Sequence, residues 1–145
     1  MKKSERLSVL AKIEKAKERE EARKYNEFQK IMKGNRKKLS DLENYMGEYR
    51  EKYSQITRNG AEAARIKSCY AFMSQLSIAI SQQKQLIQDA ESIEEQHRRN
   101  WLHARQRMEI LEKTLTKFRD EELMYERRRE QALADEVSRY KQRDH

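Results

Sequence analysis

Few residues in this chain are of a type and spacing to do chemistry. Glu94 and His97 stand three apart, so a helix would present carboxylate and imidazole on one face, the Glu-x-x-His arrangement found in di-iron helical bundles. Such a centre needs a second pair and further carboxylates from a four-helix core, and the sequence offers neither. His103 follows His97 by six residues and faces elsewhere, which removes the i, i+4 histidine pair a zinc ion would use. The single cysteine, Cys69, has no partner for an internal disulfide and reads as a small hydrophobe. The cluster Lys33, Arg36, Lys37, Lys38 and the run Arg127-Arg128-Arg129 could hold phosphates, but acidic residues are interleaved elsewhere, as in Glu18-Arg19-Glu20-Glu21 and Asp120-Glu121-Glu122. These runs read as solvated, salt-bridged helix faces. The expectation is a chain with no catalytic residue, no cofactor and no metal.

The elements that carry these residues follow from composition and period. Of 145 residues, 40% are charged and 36% hydrophobic, with three glycines and no proline. That is too little apolar material for a globular core, yet the apolar residues are regularly spaced, unlike those of a disordered chain. The formal net charge of +8 favours acidic surfaces, anionic lipid or nucleic acid without choosing among them. The longest uncharged stretch, Ser68 to Gln83, is too polar for a membrane-spanning helix, and the N-terminus has no signal-peptide pattern. A cytoplasmic protein is expected.

From Tyr25 to Ile56 residues alternate at spacings of three and four: Tyr25, Phe28, Met32, Asn35, Leu39, Leu42, Met46, Tyr49, Tyr53 and Ile56. Only Asn35 interrupts the apolar character, as a seam Asn does when it fixes register. Upstream, Leu7, Leu10 and Ile13 suggest a drift into another register. A second series keeps the alternation longer: Ile66, Cys69, Met73, Leu76, Ile80, Gln83, Ile87, Ala90, Glu94, His97, Trp101, Ala104, Met108, Leu111, Leu115, Phe118, Glu122 and Tyr125. Sustained 3.5-residue periodicity points to a left-handed coiled coil. Asn59-Gly60 between the two series marks a reversal.

The fold expected is therefore all-α: an antiparallel left-handed coiled-coil hairpin forming one domain over 1–145, with helix 1 about 4–57, a turn about 58–61 and helix 2 about 62–141. Folding about residue 60 exhausts helix 1 near residue 116, leaving about 25 residues, roughly 40 Å, of unpaired helix. That overhang holds Phe118, Leu123, Tyr125, Arg127, Leu133 and Val137, and is a candidate docking element. Beside the seam, Phe72, Leu76, Ala79 and Gln83 form a second stripe, which is either a partner surface or a seam wide enough to absorb Phe72.

Leu42-x-x-Tyr45-x-x-x-Tyr49, the Asn59-Gly60 turn, Tyr70-x-Phe72-x-x-x-Leu76-x-x-Ala79-Ile80-x-Gln82-Gln83, Trp101, Arg105 and Glu130-Gln131-x-x-x-Asp135-Glu136 together resemble the flagellar export protein FliJ family. The resemblance covers nearly the whole chain and is most specific from Leu42 to Gln83. It implies a non-enzymatic part of the flagellar type III export apparatus, similar to the gamma-subunit coiled coil of rotary ATP synthases. Such a stalk would dock in the hexameric export ATPase ring and promote its assembly and activity. It would also meet the cytoplasmic domain of the export-gate membrane protein and the chaperones of late substrates. The resemblance thus places the chain at the cytoplasmic face of the inner membrane at the flagellar base, peripheral through its partners, and assigns Phe72, Leu76, Ala79 and Gln83 to the gate. The alternatives are the equivalent stalk of a virulence injectisome, and a basic coiled coil on nucleic acid or anionic membrane; nucleic acid is not expected.

Overall fold

The structure is a computed structural model, described here over residues 2–143. It is all-α, with helix α1 (Lys3–Arg58, 56 residues) and helix α2 (Ala63–Arg143, 81 residues) packing against each other as a helical hairpin. Strong helix formers (Glu, Lys, Arg, Gln, Leu, Ala) fill both helices. Exposed pairs one turn apart brace them, among them Arg23–Glu27 at 2.7 Å and Arg105–Glu109 at 2.9 Å.

The reversal is set by one glycine. Gly60 has φ +71°, a left-handed conformation open to Gly and costly to other residues. Beyond it the Ala61 amide donates to the Ile56 carbonyl at 3.0 Å, the longer of the two bonds of a Schellman end. The Glu62 carbonyl then accepts from the amides of Arg65 (3.0 Å) and Ile66 (3.2 Å), opening α2.

Contacts fall into two compact units, Ala22–Asn100 and Met1–Glu21 with Trp101–His145. In the unit of residues 22–100, the expected positions meet across the pair. Met32 is fully buried, and Met46, Leu76 and Ile87 are nearly so. Leu39, Leu42, Tyr49, Tyr53, Ile56, Met73 and Ile80 are half-buried beside them. The polar seam position Gln83 is buried, its Nε2 donating to the Asn35 carbonyl oxygen at 2.9 Å. Cys69 donates to the Tyr49 carbonyl oxygen at 3.8 Å.

In the other unit, Ala104 and Leu115 are buried, and Trp101, Met108, Leu111 and Phe118 are half-buried. Here the N-terminal part of α1 departs from the expectation of a drifting register. The seam continues at the same spacing through Ser4, Leu7, Ala11, Glu14, Glu18 and Glu21, while Leu10 and Ile13 are exposed. Apolar spacing hid this register because four of the six seam residues are polar or charged. They are held by specific partners: the Trp101 indole N–H donates to Glu18 at 2.9 Å, and Arg107 lies 3.6 Å from Glu14.

The start of the overhang is also corrected. Pairing does not end near residue 116: Ser4 meets Glu122, Lys2 meets Glu126, and Lys3 lies 6.0 Å from the centre of the Phe118 ring. Phe118 therefore belongs to the paired region. Asn59–Glu62 lie outside both helices, which moves the pairing later along α2, and long glutamate side chains reach further still. Beyond Glu126, residues 127–143 continue for about 25 Å, all exposed.

Candidate functional site

Two surfaces are candidates, and each is built by the way the seam ends or widens. The first is the C-terminal part of α2. Its root is a capping contact at the start of α1. The Ser4 amide is one of the first-turn N–H groups that no helical carbonyl can reach. Glu122 of α2 satisfies it from outside: Ser4 N donates to Oε1 at 3.2 Å and Ser4 Oγ to Oε2 at 2.6 Å. These bonds, the hydroxyl's above all, hold the Glu122 carboxyl below its ordinary range. The next salt bridge, Lys2–Glu126 at 3.2 Å, raises the lysine's affinity for its proton.

After this clasp no described residue of α1 covers α2. Leu123 and Tyr125 are exposed, as are Arg127, Leu133 and Val137, and Tyr140 reaches 70% exposure. Leu133, Val137 and Tyr140 follow at i, i+4 and i+7, so they share one face of the helix. Of the six residues expected in the overhang, Arg127, Leu133 and Val137 lie in the uncovered segment, Leu123 and Tyr125 are exposed within the paired stretch, and Phe118 lies in the seam.

The second surface lies beside the seam near the turn. The stripe expected there is not continuous. Leu76 and Gln83 are buried in the seam, and Ala79 is half-buried at its edge. Phe72 is 39% exposed, its ring 4.4 Å from that of Tyr49. With Tyr49, Lys52, Ile56, Arg65 and Cys69, Phe72 lines an open groove of about 560 Å3. The physical reason is the heptad: Leu76 and Gln83 fall at seam positions, whereas Phe72 and Ala79 fall one position before one. Sequence reasoning missed the residues that continue Phe72 and Ala79 at seven-residue spacing, Leu86 and Ile93, both exposed. The signal was present in the sequence as the residue before every second seam position of α2, from Met73 to Glu94.

The residues first considered for chemistry face separate residues of α1. Glu94 faces Arg36 at 3.8 Å, and His97 packs its ring 5.2 Å from Phe28, its buried Nδ1 without a hydrogen-bond partner. Among the described residues, no three His, Cys, Asp or Glu side chains gather as a metal ion would require. Among them too, no helix is long and apolar enough to cross a membrane.

What the two surfaces offer is recognition: an uncovered amphipathic helix end, and an apolar edge beside a packed seam. No curated protein and no solved structure matches the chain. A family of flagellar proteins does match, over residues 2–144, and on that match the chain belongs to the flagellar FliJ protein family.

Proposed function

We propose that this flagellar export-related chain acts as a non-enzymatic stalk of the type III export apparatus, docking through the uncovered end of α2 into the ring of the export ATPase. The observation that supports this reading is residues 127–143, a helix with Leu133, Val137 and Tyr140 on one face and no covering chain. An apolar helical face held outside its own hairpin suits a helix-in-groove contact. Leu123, Tyr125 and Arg127 form the root of that contact. Binding one arrangement of the ring better than another raises ATP hydrolysis without any catalytic group here. Near the turn, Phe72 and Ala79 meet the cytoplasmic domain of the export gate, with Leu76 and Gln83 supporting them from the seam. Late-substrate chaperones are further partners. These contacts hold the protein at the cytoplasmic face of the inner membrane at the flagellar base.

The test is the hydrolysis rate of the purified export ATPase as the chain is titrated in, intact or truncated after Glu126. That cut removes Leu133, Val137 and Tyr140 but keeps Phe118, Glu122 and the Lys2–Glu126 pair. Stimulation by the intact chain that is lost on truncation is the expected result. An unchanged rate at saturating intact chain rules the stalk role out, and stimulation that survives truncation moves the contact off the overhang.

A further inference from the structure

The sequence offers Leu7, Leu10 and Ile13 as one apolar series, and the structure divides it. Leu7 enters the seam, while Leu10 and Ile13 are 51% and 47% exposed. No contact proposed above uses them. They lie in the unit formed by residues 1–21 and 101–145, and their place in the heptad decides which side they take. Leu10 precedes the seam residue Ala11, and Ile13 precedes Glu14. In an antiparallel pair, positions just before seam residues on both helices share one side. Lys17 and Arg107 are both of this kind, and from α1 and α2 they converge on Glu14 at 3.4 and 3.6 Å.

The two sides of this unit differ in composition. Positions just after the seam carry both signs and no large exposed apolar residue: Glu5, Lys12 and Lys15 on α1, Arg105, Glu109 and Glu112 on α2. That is an ordinary solvated edge. Positions just before the seam read Lys3, Arg6, Leu10, Ile13 and Lys17 along about 21 Å of α1, beside Arg107, Ile110, Thr114 and Lys117 of α2. Ile110 is 63% exposed, and Val9, one turn before Ile13, is exposed as well. No acidic residue holds such a position from Lys3 to Lys17 or from Arg107 to Lys117, and acids return at Glu20 and Glu121. Among the described residues, these cations pair with one carboxylate, that of Glu14, half-buried in the seam.

The composition selects the occupant. The exposed tips are aliphatic, without the aromatic anchors that dominate protein interfaces. Aliphatic tips have no role against the phosphate backbone of a nucleic acid, and a second copy of the chain would bring the same cations and be repelled. A bilayer surface takes both kinds of side chain at once. Aliphatic tips enter the headgroup layer, and lysine and arginine beside them attract anionic lipid while their stems lie along the apolar surface.

We propose that this side of the hairpin rests on an anionic lipid surface, with Leu10, Ile13 and Ile110 in the headgroup layer and Arg6, Lys17, Arg107 and Lys117 on lipid phosphates. The contact involves neither residues 127–143 nor the Phe72 groove, so it does not depend on either docking contact proposed above.

The test mixes the full chain with vesicles of phosphatidylcholine alone, or of phosphatidylcholine and phosphatidylglycerol in equal parts, and reads the bound fraction by sedimentation. Binding is expected on the anionic vesicles only, and is expected to weaken as salt is added. Leu10→Ser with Ile13→Ser leaves the net charge unchanged and is expected to weaken binding at least about tenfold. Arg6→Glu with Lys117→Glu is expected to do the same. Lys12→Glu with Lys15→Glu makes an equal charge change on the other side and is expected to stay within about twofold of the parent. All six positions are exposed, and circular dichroism checks that each variant keeps its helix content. No binding to anionic vesicles overturns the proposal. So does a serine pair that binds like the parent, or an equal loss in the two charge pairs, either of which marks attraction by net charge alone. Self-association of the intact chain in sedimentation velocity that the serine pair abolishes would assign the side to a second copy instead.

Discussion

Single residues decide where this seam holds and where it ends. Glu122 is the clearest case, because it occupies a seam position and is polar, yet it satisfies the Ser4 amide and hydroxyl together. Its carboxyl titrates below the ordinary value of 4.5, so the clasp is complete above that pH and is lost as acid carries the pH down through the lowered value. In an amide NMR titration the Ser4 signal is expected to move with an apparent pKa below 4.5. In Glu122→Gln that acid step is expected to vanish, and a Ser4 shift that persists would assign it to another carboxylate. Gln83 works in the same way in the other unit, closing on the Asn35 carbonyl oxygen instead of breaking the seam. Both residues were legible as members of the heptad series. Their partners were not, since a carboxylate that caps an amide and a carboxylate that faces water have the same sequence.

At the scale of the helices, the glycines divide into one that is required and two that are not. Gly60 reverses the chain at φ +71°, so Gly60→Ala is expected to lower stability by about 1–2 kcal/mol, the cost of a left-handed non-glycine residue. Gly34 lies inside α1 with open space around it, and Gly34→Ala is expected to raise stability by about 0.5–1 kcal/mol. Urea unfolding of both variants at neutral pH checks the pair: a loss of stability in Gly34→Ala would mean that the free chain already uses the bare backbone. The turn and both helices were readable from Asn59-Gly60 and the two apolar series. The N-terminal stretch of α1 was not, because Leu10 and Ile13 imitate a seam that Ser4, Ala11, Glu14 and Glu18 actually form.

For the whole molecule, the length difference between the helices separates stability from recognition. Residues 127–143 are exposed throughout, so removing them is expected to leave the thermal midpoint within measurement error, whereas cutting after Thr116 removes Phe118 and Glu122 and is expected to lower it. Thermal melts of the two truncations check this, and a drop on the shorter cut would show that the overhang packs on something. The sequence by itself determined the helical hairpin, the place of the reversal and the family resemblance, because heptad spacing and a helix-ending glycine act locally. Only the tertiary structure decided how far the pairing runs, that Leu76 and Gln83 are seam and not surface, and that Phe72 sets its ring against Tyr49 at the edge of an open groove. Those facts depend on the offset between two helices joined by a four-residue break. A shift of two or three residues in that offset changes which side chains meet without changing the pattern of either helix.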